Sequence, residues 1–224
     1  MARRLPLFPL GTVLFPGLVL PLNVFEPRYR ALVADLVADA GEEPRGFGVV
    51  AVRAGHEVGE GGVHSMHSVG CVAQLREVTE LDDGRYEIIT VGTSRFRVTA
   101  IDEDAGTPYL TALVEPYGQD PGAEDEDDPA AHLLATSVQH RFARYRDALD
   151  IGGTGAPDDP SVLSYLVAAA MVLPTQERQR LLEEPDTCSR LRSELELLRR
   201  ELGIVEALHA VPATDLPQLP DTYN

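Results

Sequence analysis

An α+β fold is predicted: a small, strongly bent β-sheet or partly open barrel in residues 1–117, an acidic linker over 118–129, a helical bundle in residues 130–211 and a loose tail over 212–224. Three observations carry this reading. Up to Pro116 the chain consists of short runs rich in Val, Ile and Thr, set between Gly, Pro and Asp turns. The segment Gln119–Pro129 then holds six acids, two prolines and no base, a composition that suits a solvated connection and not a packed element. Beyond it apolar residues recur at helical spacing, and the segments open with capping residues.

The N-terminus reads MARRLPLFPLGTVLFPGLVLPLNVFEPRYR. Its uncharged span from Leu5 to Phe25 matches the roughly 20 residues that a membrane helix needs. Pro6, Pro9, Pro16 and Pro21 lie inside it, however, and each removes a backbone donor and clashes with the preceding turn, at about 3 kcal/mol in a helix interior. The run also leads straight into FEPRYR without a small-residue cleavage site, so extended strands broken at Pro16-Gly17 are expected in place of an anchor or secretion signal. Glu26 to Val37 follows as a short amphipathic helix, with Tyr29, Leu32, Val33, Leu36 and Val37 at helical spacing and Pro27 in the first turn. Glu26 and Arg30, four apart, are expected to pair on its surface. Gly46 to Arg53 (GFGVVAVR) is a compact strand. From Ser68 to Pro116 a meander is read: SVGCVAQLREVTEL, a turn at Asp82-Asp83-Gly84, then RYEIITVG, SRFRVTAI and YLTALVEPY as separate strands.

In the C-terminal part, Ala130 to Leu149 is one helix, and Asp159-Pro160 supplies the N-cap and first residue of a helix over Ser161 to Leu173. The apolar run Val162 to Leu173 has 12 residues between two prolines, which makes it a core helix and not a membrane span. Thr175 is read as the cap of Gln176 to Glu183, and Asp186 as the cap of a last helix to about Leu208. On that helix Cys188, Leu191, Leu195, Leu198, Leu202 and Val205 recur at 3, 4, 3, 4, 3, a coiled-coil-like seam. Two outcomes stay open for it: packing on the chain's own helices, or a homodimer through the C-terminal helix.

Composition bounds the chemistry. The chain has 224 residues and a net charge of −17, but residues 1–100 carry 10 Arg against 12 acids, whereas residues 101–224 carry 9 Arg against 24. Neither half holds the clustered bases that displace counterions from phosphate backbones, so neither nucleic acid nor an anionic membrane is expected as a partner. All 19 basic residues are Arg. With no lysine, a P-loop, a Ser-Lys dyad and Schiff-base chemistry are unavailable. No G-x-S-x-G or H-E-x-x-H occurs, so no enzyme activity and no cofactor are expected. Cys71 and Cys188 lie far apart and outside any CxxC, which suits a reducing cytoplasm. His56, His64, His67 and Cys71 are the one cluster with metal-ligand residue types, but the histidines sit in a Gly-rich loop without a visible rigid frame, and no metal is expected there.

Several long blocks, in order, carry a resemblance: PLFPLGTVLFPGLVLPLNVFEPRYRALV, GFGVV, SVGCVAQL, DGRYEIITVGTSRFRV, DPSVLSYLVAAAMVLPTQERQRLLE and DTCSRLRSELELL. Together they make the chain similar, to about residue 208, to the N-terminal substrate-binding domain of Lon proteases and its stand-alone relatives. The resemblance implies a PUA-like β-barrel subdomain joined to a helical bundle, a module that captures unfolded or degron-bearing polypeptides. Without lysine it implies a binding module and not a peptidase, acting as an adaptor or holdase in protein quality control, with a separate protease as a further partner. Phe15, Leu18 and Leu20, on short strands interrupted by Pro and Gly, are the candidate substrate-binding residues, with a purely core role as the competing reading. Two other functions compete: a ligand-sensing or general interaction module, by analogy with cereblon, and RNA binding by the PUA-like barrel, against which the charge argues.

Overall fold

A computed structural model describes residues 3–38, 45–53, 66–118, 128–152 and 155–210. The N-terminal part contains β1 (Arg3–Leu10), β2 (Val19–Val24), α1 (Pro27–Ala38), β3 (Gly46–Ala51), β4 (Val69–Glu80), β5 (Tyr86–Ile101) and β6 (Thr111–Pro116). The C-terminal part contains α2 (Pro129–Ala148), α3 (Pro160–Ala170), α4 (Thr175–Glu183) and α5 (Thr187–Ala210). The fold is therefore α+β.

The strands form one mixed sheet in the order β2-β5-β4-β3-β1-β6, and β6 also pairs with β5. That last pairing closes β1, β3, β4, β5 and β6 into a ring. Closure depends on the length of β5, which spans 16 residues. Its second half, Phe96 to Ile101, pairs with β6, and its first half, Tyr86 to Val91, pairs with β2. β2 is thus an appended edge strand. β1 and β3 run parallel, so the chain must cross over between them, and β2 with α1 makes that crossover.

The expected break between RYEIITVG and SRFRVTAI does not occur. Cys71 pairs with Arg95 and Ala73 with Gly92, so Thr93 and Ser94 stand against the single residue Val72. Two residues opposing one is a β-bulge, which bends a strand without ending it. At Gly92 a Cβ would overlap the Phe15 carbonyl oxygen and lie 3.2 Å from Cys71 Sγ, so only glycine admits the N-terminal loop there.

Other local expectations shift for identifiable reasons. Glu26 precedes α1 and does not lie on its surface: its carbonyl accepts the N–H of Tyr29 and of Arg30, and its carboxylate takes Arg28 at 2.7 Å in place of Arg30. α3 ends at Ala170 because Met171 turns extended, three residues ahead of Pro174, and the Val172 N–H donates to the Tyr145 hydroxyl at 3.1 Å. α4 starts at Thr175 with Pro174 in the capping position, and the Thr175 hydroxyl donates to the Gly11 carbonyl instead of capping. Asp128, Asp159 and Asp186 do cap, each accepting a backbone N–H at 2.8 Å at the start of α2, α3 and α5.

Three groups of buried side chains hold the fold. One lies between α1 and the sheet, where Tyr29, Leu32 and Val33 meet Phe8, Phe47 and Ile88. A second gathers Leu5, Leu7, Phe96 and Val114. The third joins both parts of the chain: Val13, Phe15, Ala51 and Val69 pack into the same core as Val138, Phe142, Leu163, Tyr165, Leu191 and Leu198. At about 1.5–3 kcal/mol per fully buried large side chain, this shared core ties sheet and bundle together. Of the seam on α5, Leu191, Leu198 and Leu202 are buried in this core against the chain's own helices, with Leu195 packed on it.

Polar contacts reinforce the junction. Arg95, 3% exposed, donates to the carbonyls of Leu182 at 2.9 Å, of Glu184 and of Pro185, where α4 leaves its last carbonyls without intrahelical partners. The Tyr117 hydroxyl donates to the Glu183 carbonyl at 2.6 Å and Gln179 Nε2 to the Val69 carbonyl at 3.0 Å. Among the described residues no helix is long and apolar enough to cross a membrane.

Candidate functional site

The site is built on β2. Pro16-Gly17 turns the chain, with Gly17 at φ +79 where a Cβ would be strained. The Gly17 N–H donates to the Gly92 carbonyl at 2.8 Å and the Gly92 N–H to the Leu18 carbonyl at 2.9 Å, which sets the register of everything that follows. Val19 to Val24 then pair antiparallel with Val91 to Tyr86.

Strand geometry sorts these residues onto two faces. Leu20, Leu22 and Val24 turn toward the core under α1, while Val19, Pro21 and Asn23 face solvent and are exposed. The same alternation applies to the backbone. The carbonyls of Leu18 and Leu20 accept bonds from β5, so those of Val19, Pro21 and Asn23 lie along the free edge. Pro21 carries no N–H, which interrupts that edge at its centre and protects it from pairing with copies of itself.

Large apolar side chains remain uncovered around this strand. Val19 is 63% exposed, Phe25 at its far end 64%, and Ile89, opposite Pro21, 38%. Two depressions flank it. One, of about 230 Å³, runs between the strand's end and β1, lined by Phe8, Leu10, Leu22, Phe25 and Tyr29 among others. Its wall is rigid: Phe8 stacks on Tyr29 at 4.0 Å, and the Arg28 guanidinium lies 4.7 Å from the centre of the Tyr29 ring. Burial raises the Tyr29 hydroxyl above its ordinary pKa, so it stays neutral. The other depression, of about 540 Å³, lies over β2, β5 and β4, with Pro21, Asn23, Glu77, Thr79, Glu87 and Ile89 among its lining residues.

The three residues singled out in the sequence do not share one environment. Phe15 is 1% exposed, with its ring 6.3 Å from that of Tyr165 on α3. Leu18 and Leu20 are half-buried and pack beneath β2. Val19, Phe25 and Ile89 were not singled out. For Val19 a signal existed: strict alternation from Gly17 puts it on the face opposite Leu18 and Leu20. For Ile89 none existed, since its exposure depends on which strand pairs with β5.

The metal-type cluster is placed only in part. His56 and His64 lie outside the described residues. Cys71 is fully buried, and burial pushes its thiol up to about 12, so it carries no thiolate at neutral pH. His67 turns to Glu183, with Nδ1 3.5 Å from its carboxylate, and burial is the main cause holding its pKa below the usual imidazole range. Among the described residues no group of three His, Cys, Asp or Glu is placed to hold a metal ion.

Comparisons with known proteins converge. Residues 4–200 match the family of the ATP-dependent protease La (LON) substrate-binding domain. The chain is 30% identical over 206 residues to Lon protease 2 of Myxococcus xanthus, covering 90% of this chain and 24% of that protein. It is 29% identical over 206 residues to a Lon protease of Anaeromyxobacter dehalogenans, again covering 24% of that relative. The chain thus spans about a quarter of the length of these curated relatives. Among solved structures, a Lon N-terminal domain protein from Xanthomonas campestris superposes with a TM-score of 0.62 at 26% identity, covering 94% of this chain and 99% of that one. The N-terminal domain of Mycobacterium avium complex Lon protease superposes with a TM-score of 0.63 at 19% identity and shares the fold.

Proposed function

The chain belongs to the LON substrate-binding domain family, and on that premise we propose that it is a non-catalytic polypeptide-binding module that holds unfolded or degron-bearing chains against β2. One observation carries this reading: Val19 on the edge strand, Phe25 just beyond its end and Ile89 beside it on β5 stay exposed, while Leu20, Leu22 and Val24 turn inward. A surface strand with apolar side chains on and beside its solvent face suits extended chain laid across that face. Phe15, Leu18 and Leu20 support the strand from beneath, and Phe25 rims the groove beside β1.

The magnitude fits capture and release. Covering what remains exposed of Val19, Phe25 and Ile89 yields roughly 2–5 kcal/mol, short of the 8.2 kcal/mol that corresponds to a micromolar Kd. A single segment therefore binds weakly, and retention of a client requires several segments in turn or delivery to a partner such as a separate protease. Cys71 and Cys188 form no disulfide, which suits work in the cytoplasm as adaptor or holdase.

The test compares binding to a reduced, unfolded protein and to its native form. Unfolded protein is expected to bind, native protein not. Val19→Asp with Phe25→Asp is expected to weaken binding at least tenfold, with Tm unchanged because both positions are exposed. Binding that ignores the folding state of the client, or that survives the double substitution, overturns the proposal.

A further inference from the structure

Resting on the reading of β2 as the client-contacting strand, we infer that its solvent face selects extended segments that carry apolar and basic residues on the same side of the strand, at positions two apart. The sheet register supplies the argument. Pro21, Ile89 and Glu77 stand in one row across β2, β5 and β4, and Asn23, Glu87 and Thr79 in the next. Directly opposed residues on one face have Cβ atoms about 4.5–5.5 Å apart, so Glu77 touches the Ile89 position and Glu87 lies one row away. Val19 and half-buried Val91 form the row on the other side. The face thus runs from apolar at the Val19 row to acidic toward Glu77 and Glu87, and no base lines the depression over its Pro21 and Asn23 rows.

The two carboxylates are available. Glu77 and Glu87 are exposed, and neither forms an ion pair among the described residues. Of the nearby bases, Arg85 is held by Asp83 at 2.7 Å, and Arg76, in the bulge next to Glu77, forms no ion pair with it among the described residues. An extended client laid on the face presents alternate side chains to it at about 6.6–6.8 Å spacing. Apolar side chains then cover Val19 and Ile89, and the long stems of Lys or Arg lie over the strip with their charges beside Glu77 and Glu87. A client acid in the same place meets like charge. The chain's net charge of −17 adds long-range attraction for the same clients.

The experiment uses the full chain and three dye-labelled, unstructured 12-residue peptides that share their apolar residues and carry Arg, Gln or Glu two positions along from them, on the same side of the extended chain, read by fluorescence anisotropy. The Arg peptide is expected to bind about three- to tenfold tighter than the Gln peptide, and the Glu peptide weaker still, the differences shrinking as salt is raised. The double variant Glu77→Gln with Glu87→Gln is expected to remove most of the Arg-over-Gln preference while leaving the Gln peptide unchanged. Glu103→Gln with Asp104→Asn, exposed acids in the loop before β6, makes the same change in net charge and is expected to leave the preference intact. Equal binding of all three peptides overturns this inference alone. A preference that survives Glu77→Gln with Glu87→Gln, or falls equally with the control pair, does the same by assigning it to net charge. No binding of any peptide overturns the inference together with the reading beneath it.

Discussion

Glu194 lies on α5 at 0% exposure, and neither of its carboxylate oxygens accepts a hydrogen bond among the described residues. Burial raises its pKa well above the ordinary value of 4.5, and Arg190, one turn earlier, offsets this only in part. The Arg190 guanidinium also serves other partners: Nε donates to Ser164 Oγ at 2.7 Å, Nη2 to Thr187 Oγ1 at 3.2 Å, and the group lies 3.8 Å from the centre of the Tyr165 ring. The sign follows from linkage. Above pH 4.5 the unfolded chain releases this proton while the folded chain keeps it, so stability from this group is full at low pH and falls by about 1.4 kcal/mol per pH unit until the folded pKa is reached. Glu194→Gln has the same shape as the protonated acid and removes that loss. Relative to wild type it is expected to be neutral near pH 4.5 and progressively more stable as pH rises above it, until the folded pKa is passed. Urea denaturation of both proteins at half-unit pH steps reads the difference directly, since all other titrating groups cancel. A variant that is less stable than wild type, with a deficit that grows as pH rises, shows an ionised Glu194 paired with Arg190 and refutes the reasoning.

The remaining predictions concern the frame and the face it carries. Gly92→Ala forces a Cβ into the Phe15 carbonyl and within 3.2 Å of Cys71 Sγ, and a loss of at least about 2 kcal/mol in urea denaturation is expected; a neutral result would show that the β2 loop can move away from β5. Arg95→Ala leaves the carbonyls of Leu182, Glu184 and Pro185 buried without their donor and is expected to cost about 3–5 kcal/mol. Hydrogen exchange should then quicken first in α4, and uniform protection across α4 would count against its role as the tie. On the surface, Val19→Asp with Phe25→Asp is expected to cost binding and not stability, and Glu77→Gln with Glu87→Gln to cost the preference for basic peptides.

What the sequence made legible was local chemistry. The caps at Asp159 and Asp186, the turns at Gly17 and Gly84 and the amphipathic spacing of α1 each depend on residues a few positions apart. The α+β class followed from strand-like and helical runs, and the resemblance to Lon substrate-binding domains added the expectation of a PUA-like barrel subdomain. What stayed hidden depends on distant partners. Phe15 meets Tyr165, 150 positions away, and Arg95 reaches the carbonyl of Leu182, 87 away. β5 continues through Gly92-Thr93-Ser94 because β4 opposes it with one residue fewer, a fact written in the pairing and not in either strand alone. Ile89 reads as a core residue by composition, yet the register that aligns it with Pro21 and Glu77 places it on the open face.

The same register explains why binding and stability can sit on neighbouring residues without conflict. Phe15 and Val19 are four positions apart, and between them the turn at Pro16-Gly17 and the paired bonds to Gly92 fix the chain against β5. Phe15 is thereby held in the core shared by sheet and helices, where the bundle stabilises it. From Leu18 onward alternation takes over, and each residue that faces inward holds its neighbour outward. An apolar surface left open on a mobile loop would collapse onto the nearest core. On β2 it cannot, because turning Val19 inward requires a one-residue slip that would expose Leu20, Leu22 and Val24 and break the bonds to Gly92. The exposed face is therefore maintained by the stability of the buried one, and in the proposed role a client would meet a preformed surface whose ordering cost was met on folding.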